Sequence, residues 1–355
     1  MLVNKNIQIL IWCCLGFSTS AFQIGPLLST CVDACQRGCV EVRKVQSLRE
    51  TNNGDMKVQF KDKSDPRSAL TQADRAAHRA IVGALKAEWG NIRIVGEEDD
   101  DEDLTASIAA MKFEPLDRDR FEDDIGQTAD IDASEITVFV DPLDGTREFV
   151  EGRLSNCQVL VGISISGEAV AGVIGIPFPA GDLSTEETIV YGFSDVGAGV
   201  LGEPLSRGPF PLDHNIDGVK YPRPHHATGD SSSEVMVACR KGAIKRFGGS
   251  NVIYGGAGNK ILAAALGEVT CSIQHRVGGP WDLCAPEAIL KSMGGKMTDL
   301  FGEKIDIYKS DAPARCNERG YLASPPGAED IFHQALANSL LALPEVQKYR
   351  EEIES

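Results

Sequence analysis

Positive charge is scarce in this 355-residue sequence, which has 35 lysines and arginines against 52 aspartates and glutamates and a net charge of −17. This imbalance argues against a nucleic-acid polymer or an anionic membrane surface as partner, because both attract basic proteins. A small anionic substrate is compatible with it, but cations would have to bridge that substrate to the acidic protein. The length allows one large domain or two of ordinary size with a sizeable buried core.

Internal repeats are absent as well, and the apolar run over residues 7–17 is too short to span a bilayer comfortably. The run follows one lysine and precedes Ser-Thr-Ser-Ala at 18–21, which is the pattern of a cleaved signal peptide. We therefore expect a targeting segment for the secretory pathway or a plastid rather than the cytosol, and no stable membrane span after its removal. The alternative is an uncleaved amphipathic extension.

Metal-binding cysteine pairs are missing near the start of the fold, although the chain has ten cysteines. Cys31, Cys35 and Cys39 recur every four residues without a CxxC pair or a histidine. This is the spacing of one helix face, so the sequence favours buried free thiols over a zinc site.

The order of apolar runs divides the chain into segments. We expect the targeting segment over 1–22, an α+β half over 23–225, an α/β half over 226–342 and a C-terminal tail over 343–355. Strands alternate with helices in the second half, which is typical of α/β architecture. An irregular acidic loop with one short helix is predicted over 99–135. The predicted helices cover 26–44, 64–89, 259–266 and 282–293, and the predicted strands cover 56–60, 92–95, 136–140, 159–165, 169–176, 235–239 and 252–254.

Carboxylates follow apolar strands or begin a helix at three places. Glu97 comes after the strand 92–95, Asp141 and Asp144 come after 136–140, and Asp282 begins a helix. Several carboxylates in one place are costly unless something positive neutralises them. Magnesium prefers oxygen ligands, and two such ions can hold a phosphate and activate a water for in-line attack. The sequence therefore predicts a magnesium site.

Each position of Asp-Pro-Leu-Asp-Gly-Thr at 141–146 suits that chemistry. Asp141 can bridge two metals, the Leu143 carbonyl can be a ligand, and Asp144 turns back to the ions. Gly145 permits close approach of the backbone, its N–H and that of Thr146 can contact phosphate oxygens, and the Thr146 hydroxyl can orient water. An EF-hand needs aspartates at every second position, and haloacid dehalogenases place theirs two apart, so neither fits. A capped helix N-terminus with a structural aspartate is the simpler alternative.

Taken together, these segments resemble the lithium-sensitive, magnesium-dependent phosphatases of the inositol monophosphatase superfamily over about residues 26–340. The matching pieces are Ala73-Asp74, Gly96-Glu97-Glu98, residues 141–146, Trp281-Asp282 and Gly294-Gly295. The resemblance implies a layered αβαβα fold, an antiparallel sheet half followed by a smaller α/β half, with the active site between them.

Within that superfamily, three stretches are most similar to the 3'(2'),5'-bisphosphate nucleotidases. They are DPLDGTREFVEG at 141–152, GGAGNK at 255–260 and WDLCAPE at 281–287. The implied reaction is hydrolysis of 3'-phosphoadenosine 5'-phosphate to AMP and phosphate by metal-activated water, a step of sulfur metabolism. One alternative is an inositol phosphate or other sugar phosphate as substrate, and another is a catalytically silent, cation-binding regulatory protein. Under each of these functions we expect a monomer or a homodimer.

The resemblance also implies roles for single residues, with two or three Mg²⁺ per site. Lys260 is implied to bind substrate, but it could instead be a solvated surface lysine. His225 and His226 are expected to be solvent-exposed. Arg240-Lys241-Gly242 stands where the subgroup has a histidine that contributes to nucleotide binding, so these cations would grip an extra phosphate or be solvated. The implied metal ligands are Glu97, Asp141, Leu143, Asp144 and Asp282; the catalytic residues are Asp74 and Thr146; and the substrate-binding residues are Gly145, Thr146, Gly255, Gly256, Ala257, Lys260 and Asp282.

Overall fold

The computed structural model describes residues 23–51, 58–60, 69–121, 131–194, 196–205, 214–216, 219–221, 225–276, 278–309, 317–327 and 330–355. The predicted targeting segment lies outside these residues. Among the described residues, no helix is both long and apolar enough to cross a membrane.

The helices and strands are numbered in chain order. The helices are α1 (Ile24–Thr51), α2 (Gln72–Glu88), α3 (Glu102–Ala109), α4 (Thr146–Val150), α5 (Glu234–Phe247), α6 (Ala257–Ala265), α7 (Pro280–Ser292), α8 (Asp330–Leu341) and α9 (Pro344–Glu354). The strands are β1 (Val58–Phe60), β2 (Ala69–Thr71), β3 (Arg93–Gly96), β4 (Ile136–Asp144), β5 (Gln158–Ile165), β6 (Glu168–Ile176), β7 (Thr188–Phe193), β8 (Gly197–Gly202), β9 (His214–Ile216), β10 (Val219–Tyr221), β11 (His225–Thr228), β12 (Ser250–Ile253), β13 (Cys271–Gln274), β14 (Lys296–Thr298) and β15 (Tyr321–Ser324).

A six-stranded sheet organises the first half, in the order β3-β4-β5-β6-β7-β8. Only β3 and β4 are parallel, and the predicted hairpin β5–β6 is confirmed. Both faces are covered, by α1 and α2 on one side and by α6 and α7 on the other. This explains why β4 reads as a continuous apolar run rather than an alternating one.

A five-stranded mixed sheet organises the second half, in the order β12-β11-β13-β15-β14. Its inner face packs on α6 and α7, and its outer face packs on α5, α8 and α9. The layers are therefore helix, sheet, helix, sheet, helix, and the predicted αβαβα fold is confirmed.

A row of glycines fixes the position of α7 on the first sheet. Gly162, Gly172 and Gly192 lie directly opposite one another on β5, β6 and β7. A Cβ on Gly162 would lie 2.5 Å from Ala285 N, and one on Gly172 would lie 2.8 Å from Ala285 Cα. The helix backbone therefore rests against the sheet backbone, at a distance that no side chain would allow. This close packing places the first turn of α7, with Asp282, at one end of the sheet.

The thiol prediction for α1 is confirmed. Cys31, Cys35 and Cys39 are fully buried and free. Cys39 packs over Gly175 of β6, where a side chain would collide with its sulfur. Burial in this apolar layer raises the pKa of Cys39 well above its usual range, so the thiol stays protonated.

One predicted strand is a helix in the structure, and one predicted helix begins at a different residue. Residues 235–239 belong to α5, not to a strand, because Ser233 accepts a hydrogen bond from Met236 N (3.3 Å) and caps a helix. The second helix begins at Gln72 rather than at 64–66, because Thr71 and Asp74 form a capping box. Residues 64–66 themselves lie outside the described ranges.

The prediction that both histidines are solvent-exposed is wrong for His226, whereas His225 is half-buried. His225 and His226 lie on β11, and His226 is fully buried with Nε2 2.9 Å from the Gly248 carbonyl oxygen. At the other end, residues 344–354 of the predicted tail form α9, whose Val346 is fully buried in the outer core.

Candidate active site

The end of β4 delivers two carboxylates to the space between the halves. The pairing of β4 with β5 is irregular between Asp141 and Asp144, which brings both side chains to this end of the sheet. Asp141 Oδ1 accepts a hydrogen bond from Leu143 N (2.9 Å), and Gly145 follows with φ of +88°. That left-handed conformation turns the chain directly into α4.

Three aspartates converge here from distant parts of the chain. Oxygen atoms of Asp141, Asp144 and Asp282 lie within 4.8 Å of one another. Glu97, in the turn after β3, adds a fourth negative charge. Burial, followed by Glu97, Asp282 and Asp144, raises the pKa of Asp141 well above its usual range. Burial and the same kind of repulsion raise the pKa of Asp282. A site of this kind is stable only with added positive charge.

The protein itself supplies part of that charge. Asp144 accepts hydrogen bonds from the N–H groups of Ala257 and Gly258 at the N-terminus of α6, both at 2.8 Å. Lys260 is only 4% exposed, and its ammonium donates to the Gly256 carbonyl at 2.5 Å. Solvation, the simpler interpretation of this lysine, is therefore wrong. Burial lowers its pKa, while Asp144 and Asp282 favour its charged form.

One lysine and one helix end do not balance four carboxylates. The donor set is oxygen only, and the groups are buried and already oriented by backbone N–H groups. Gly279 N, for example, donates to Asp282 Oδ2 at 2.6 Å. These properties match what magnesium requires, and the residues present fit the ion.

A threonine and an aspartate lie beside the cluster. Thr146 Oγ1 donates to Asp74 Oδ1 (2.8 Å), with the Leu143 carbonyl 3.1 Å away as a second acceptor. Asp74 Oδ2 accepts from the N–H and the hydroxyl of Thr71, at 2.7 and 2.5 Å. Burial, partly offset by these hydrogen bonds, raises the pKa of Asp74 to about 6. The pair can hold and move a proton next to the carboxylates.

Substitution of Thr146 should separate the hydroxyl from the bulk of its side chain. Thr146→Val keeps the shape and removes the donor, so we expect kcat to fall by roughly 10²-fold, the lower end of general acid–base contributions. Thr146→Ser keeps the hydroxyl and should retain most of the activity. Steady-state phosphate release checks both variants, and equal kcat for the valine and serine variants would contradict the role.

A buried polar group that the sequence did not single out joins α4 to α6. Glu148 accepts from Arg153 Nη2 (2.8 Å) and Asn156 Nδ2 (3.1 Å). A Cβ on Gly255 would lie 2.6 Å from Glu148 Oε2, so this glycine is needed for close packing. Asn259 Nδ2 in turn donates to the Gly255 carbonyl (3.1 Å). Glu148 lies within the stretch 141–152 that carries the family resemblance, but the sequence of that stretch does not show that its side chain is buried.

Arg240 contacts the loop that follows β11. Its guanidinium donates to the carbonyl oxygens of Gly229 (2.9 Å) and Ser231 (2.6 Å), and so holds the loop after β11. That loop instead presents Asp230, which accepts from Arg147 Nη1 at 2.7 Å. The loop that follows β11 is therefore 229–233. Arg240 is half-buried against the carbonyl oxygens of this loop, and phosphate binding by Arg240 or Lys241 stays a prediction.

The sheet-helix layering and the carboxylate cluster are those of a metal-dependent phosphatase. A model of the inositol monophosphatase family matches residues 28–342, and the chain belongs to that family. Members of the family depend on Mg²⁺, in agreement with the acidic cluster.

Relatives and solved structures agree with this assignment. The chain is 29% identical over 310 residues to 3'(2'),5'-bisphosphate nucleotidase 1 of Dictyostelium discoideum, covering 86% of this chain and 94% of that one. It is 30% identical over 332 residues to the Golgi-resident adenosine 3',5'-bisphosphate 3'-phosphatase of Rattus norvegicus, covering 91% and 82%. The fold matches the crystal structure of SaIMPase-II bound to inositol monophosphate with a TM-score of 0.60 and 19% identity, covering 93% and 100%.

Proposed function

We propose that the protein is a magnesium-dependent phosphomonoesterase that removes the 3'-phosphate of 3'-phosphoadenosine 5'-phosphate, giving AMP and inorganic phosphate. The observation that carries the chemistry is the convergence of Asp141, Asp144 and Asp282 within 4.8 Å beside the Thr146–Asp74 pair. The nucleotide substrate is supported by the two relatives whose names give an adenosine or nucleotide bisphosphate as substrate.

The ions, two or three in number, would be held by the carboxylates of Glu97, Asp141, Asp144 and Asp282 and by the Leu143 carbonyl. When bound, Mg²⁺ supplies the positive charge that binds phosphate oxygens and makes water nucleophilic at neutral pH.

The chain's own residues then position the reactants. The Thr146 hydroxyl, held by Asp74 at 2.8 Å, would orient the water, whose proton passes through this hydroxyl to the Asp74 carboxylate. As the water oxygen bonds to phosphorus, the bond to the 3'-oxygen breaks, and the leaving 3'-oxygen takes a proton from solvent water. The Lys260 ammonium lies beside the carboxylates and adds charge where a second phosphate would bind. The loop of Gly255, Gly256 and Ala257 would line this side of the substrate. The Ala257 N–H, however, donates to Asp144, so its backbone contact with substrate stays a prediction.

A panel of substrates tests the proposal. Phosphate release is measured with 3'-phosphoadenosine 5'-phosphate, inositol 1,4-bisphosphate, inositol 1-phosphate and AMP, each with and without magnesium. We expect kcat/KM for the bisphosphonucleotide to exceed the others by at least about tenfold, or about 1.4 kcal/mol, and AMP to stay intact. No release from any compound with magnesium present would refute the phosphatase, and preference for inositol compounds would refute the nucleotide alone.

An inositol phosphate or other sugar phosphate is the second candidate. The loop 229–233 reads Gly-Asp-Ser-Ser-Ser, without the histidine that the nucleotidase resemblance implies, and its Asp230 adds a negative charge near Lys260. We also propose the secretory pathway as the location, which the predicted targeting segment and the Golgi-resident relative support.

A further inference from the structure

Two loops of the second half border the carboxylate cluster. The first, residues 229–233 between β11 and α5, places Asp230 against Arg147, the neighbour of Thr146. The second joins β13 to α7, and its residues 275, 276, 278 and 279 are described. Gly279 N donates to Asp282, and a Cβ on Gly278 would lie 2.5 Å from Asp282 Oδ2. Both loops thus contact residues in or next to the proposed substrate site, and a contact that holds them bears on that site.

His275 connects the two loops. Its Nε2 lies 3.4 Å from Ser233 Oγ, at the end of the first loop, while its own backbone begins the second. Ser233 is the N-cap of α5, so the contact is tied to a helix end. The Gly320 position packs against the backbone of His275, where a Cβ would lie 2.8 Å from His275 Cα. The backbone of His275 therefore packs against the residue that precedes β15, and its side chain contacts the first loop.

Tyr349 of α9 holds His275 in turn. Its hydroxyl lies 2.5 Å from the Glu318 carbonyl oxygen and 3.2 Å from that of His275, so one donor is shared between the two acceptors. The two rings also pack, with centroids 5.6 Å apart and planes at 59°. Helix α9 begins at Pro344, beyond the family match, which ends at residue 342.

We propose that Tyr349 is a positioning residue of the substrate site, which acts through His275 on the loop 229–233 and sets the affinity for the organic part of the substrate more than the metal chemistry. This inference rests on the proposed phosphatase function for its kinetic readout. The Tyr349 hydroxyl donates to the backbone carbonyl oxygens of His275 and Glu318, so its removal takes no carboxylate from the cluster and should change the magnesium requirement little.

Tyr349→Phe removes only the hydroxyl and tests the inference directly. We expect KM for the preferred substrate of the panel to rise about fivefold, equivalent to about 1 kcal/mol, while kcat and the half-saturating magnesium concentration stay within about twofold. His275→Ala should raise KM at least as much. A fall in kcat at unchanged KM, or no change in either constant, would overturn the inference, because a merely stabilising contact changes the active fraction and not KM.

Lys348→Gln is the matched control at the neighbouring position. The Lys348 side chain is 71% exposed, and its ammonium pairs within α9 with Glu352 at 3.7 Å, so the kinetics of the variant should match those of the unmodified protein. Hydrogen exchange of backbone amides supplies a readout that needs no activity. We expect faster exchange in 229–233 for Tyr349→Phe and not for Lys348→Gln. Unchanged hydrogen exchange in Tyr349→Phe would overturn the inference, whether or not the protein is active. Absence of phosphate release from every substrate would refute only the proposed function.

Discussion

Asp141→Asn is expected to abolish most phosphate release, with kcat lower by roughly 10³-fold, or about 4 kcal/mol of transition-state stabilisation. The residue lies at the centre of the cluster, with Glu97, Asp282 and Asp144 all acting on its charge. An amide of the same shape keeps the acceptor for Leu143 N but loses the negative charge with which this side chain would hold magnesium. Steady-state kinetics over a magnesium titration measures the effect.

The same substitution should raise the Tm of the metal-free protein. Removing one buried carboxylate relieves repulsion among the others, because no bound cation then offsets it. Loss of activity together with a gain in metal-free stability distinguishes a ligand from a structural residue. Asp306→Asn, an exposed aspartate paired with Lys309, should change neither property. Near-normal kcat for Asp141→Asn would show that the metal assignment is wrong.

Gly172→Ala is expected to reduce the free energy of unfolding by about 3 kcal/mol, the cost of overpacking a close backbone contact. The added methyl group would collide with the Ala285 carbonyl and would lie 2.8 Å from its Cα, and neither atom can move without displacing α7. Displacement of α7 also moves Asp282, so the half-saturating magnesium concentration should rise. Urea denaturation and a magnesium titration of kcat measure the two effects.

Gly90→Ala is the control for that experiment. Gly90 has no positive φ, and a Cβ built there meets no atom within 4 Å. The variant should be as stable as the unmodified protein, or slightly more so, because alanine restricts the unfolded chain. Equal destabilisation at the two positions would contradict the account of the glycine row.

The sequence predicted that the three carboxylates of the cluster would converge because each follows a recognisable local signal, and their role as metal ligands stays a prediction. Asp141 and Asp144 come at the end of an apolar strand, and Asp282 follows a Gly-Gly-Pro-Trp turn into a helix. Layer order was also predictable, through the family resemblance. The strand at 235–239 was wrong because a short apolar run has no clear period, and the capping role of Ser233 became evident only in the structure.

What the sequence could not provide was contact between residues far apart in the chain. Nothing near Lys260 indicates that its ammonium is buried against Asp144, and nothing in 147 or 230 indicates that the two pair across the halves. Tyr349 lies 74 positions from His275. Such pairs depend on how the layers dock, and that information is distributed over the whole core.

Because the glycine row lets α7 pack closely on the first sheet, binding of magnesium would also stabilise the packing of that helix. The three converging aspartates come from β4 and from α7, so this set of carboxylates is complete only where that helix packs on the sheet. An ion that binds the complete set favours the assembled molecule over any form in which the two are apart, by about 2.7 kcal/mol at a hundred times its Kd. In newly made chains, the fraction in which α7 is packed on the sheet would therefore depend on the magnesium concentration, even without substrate.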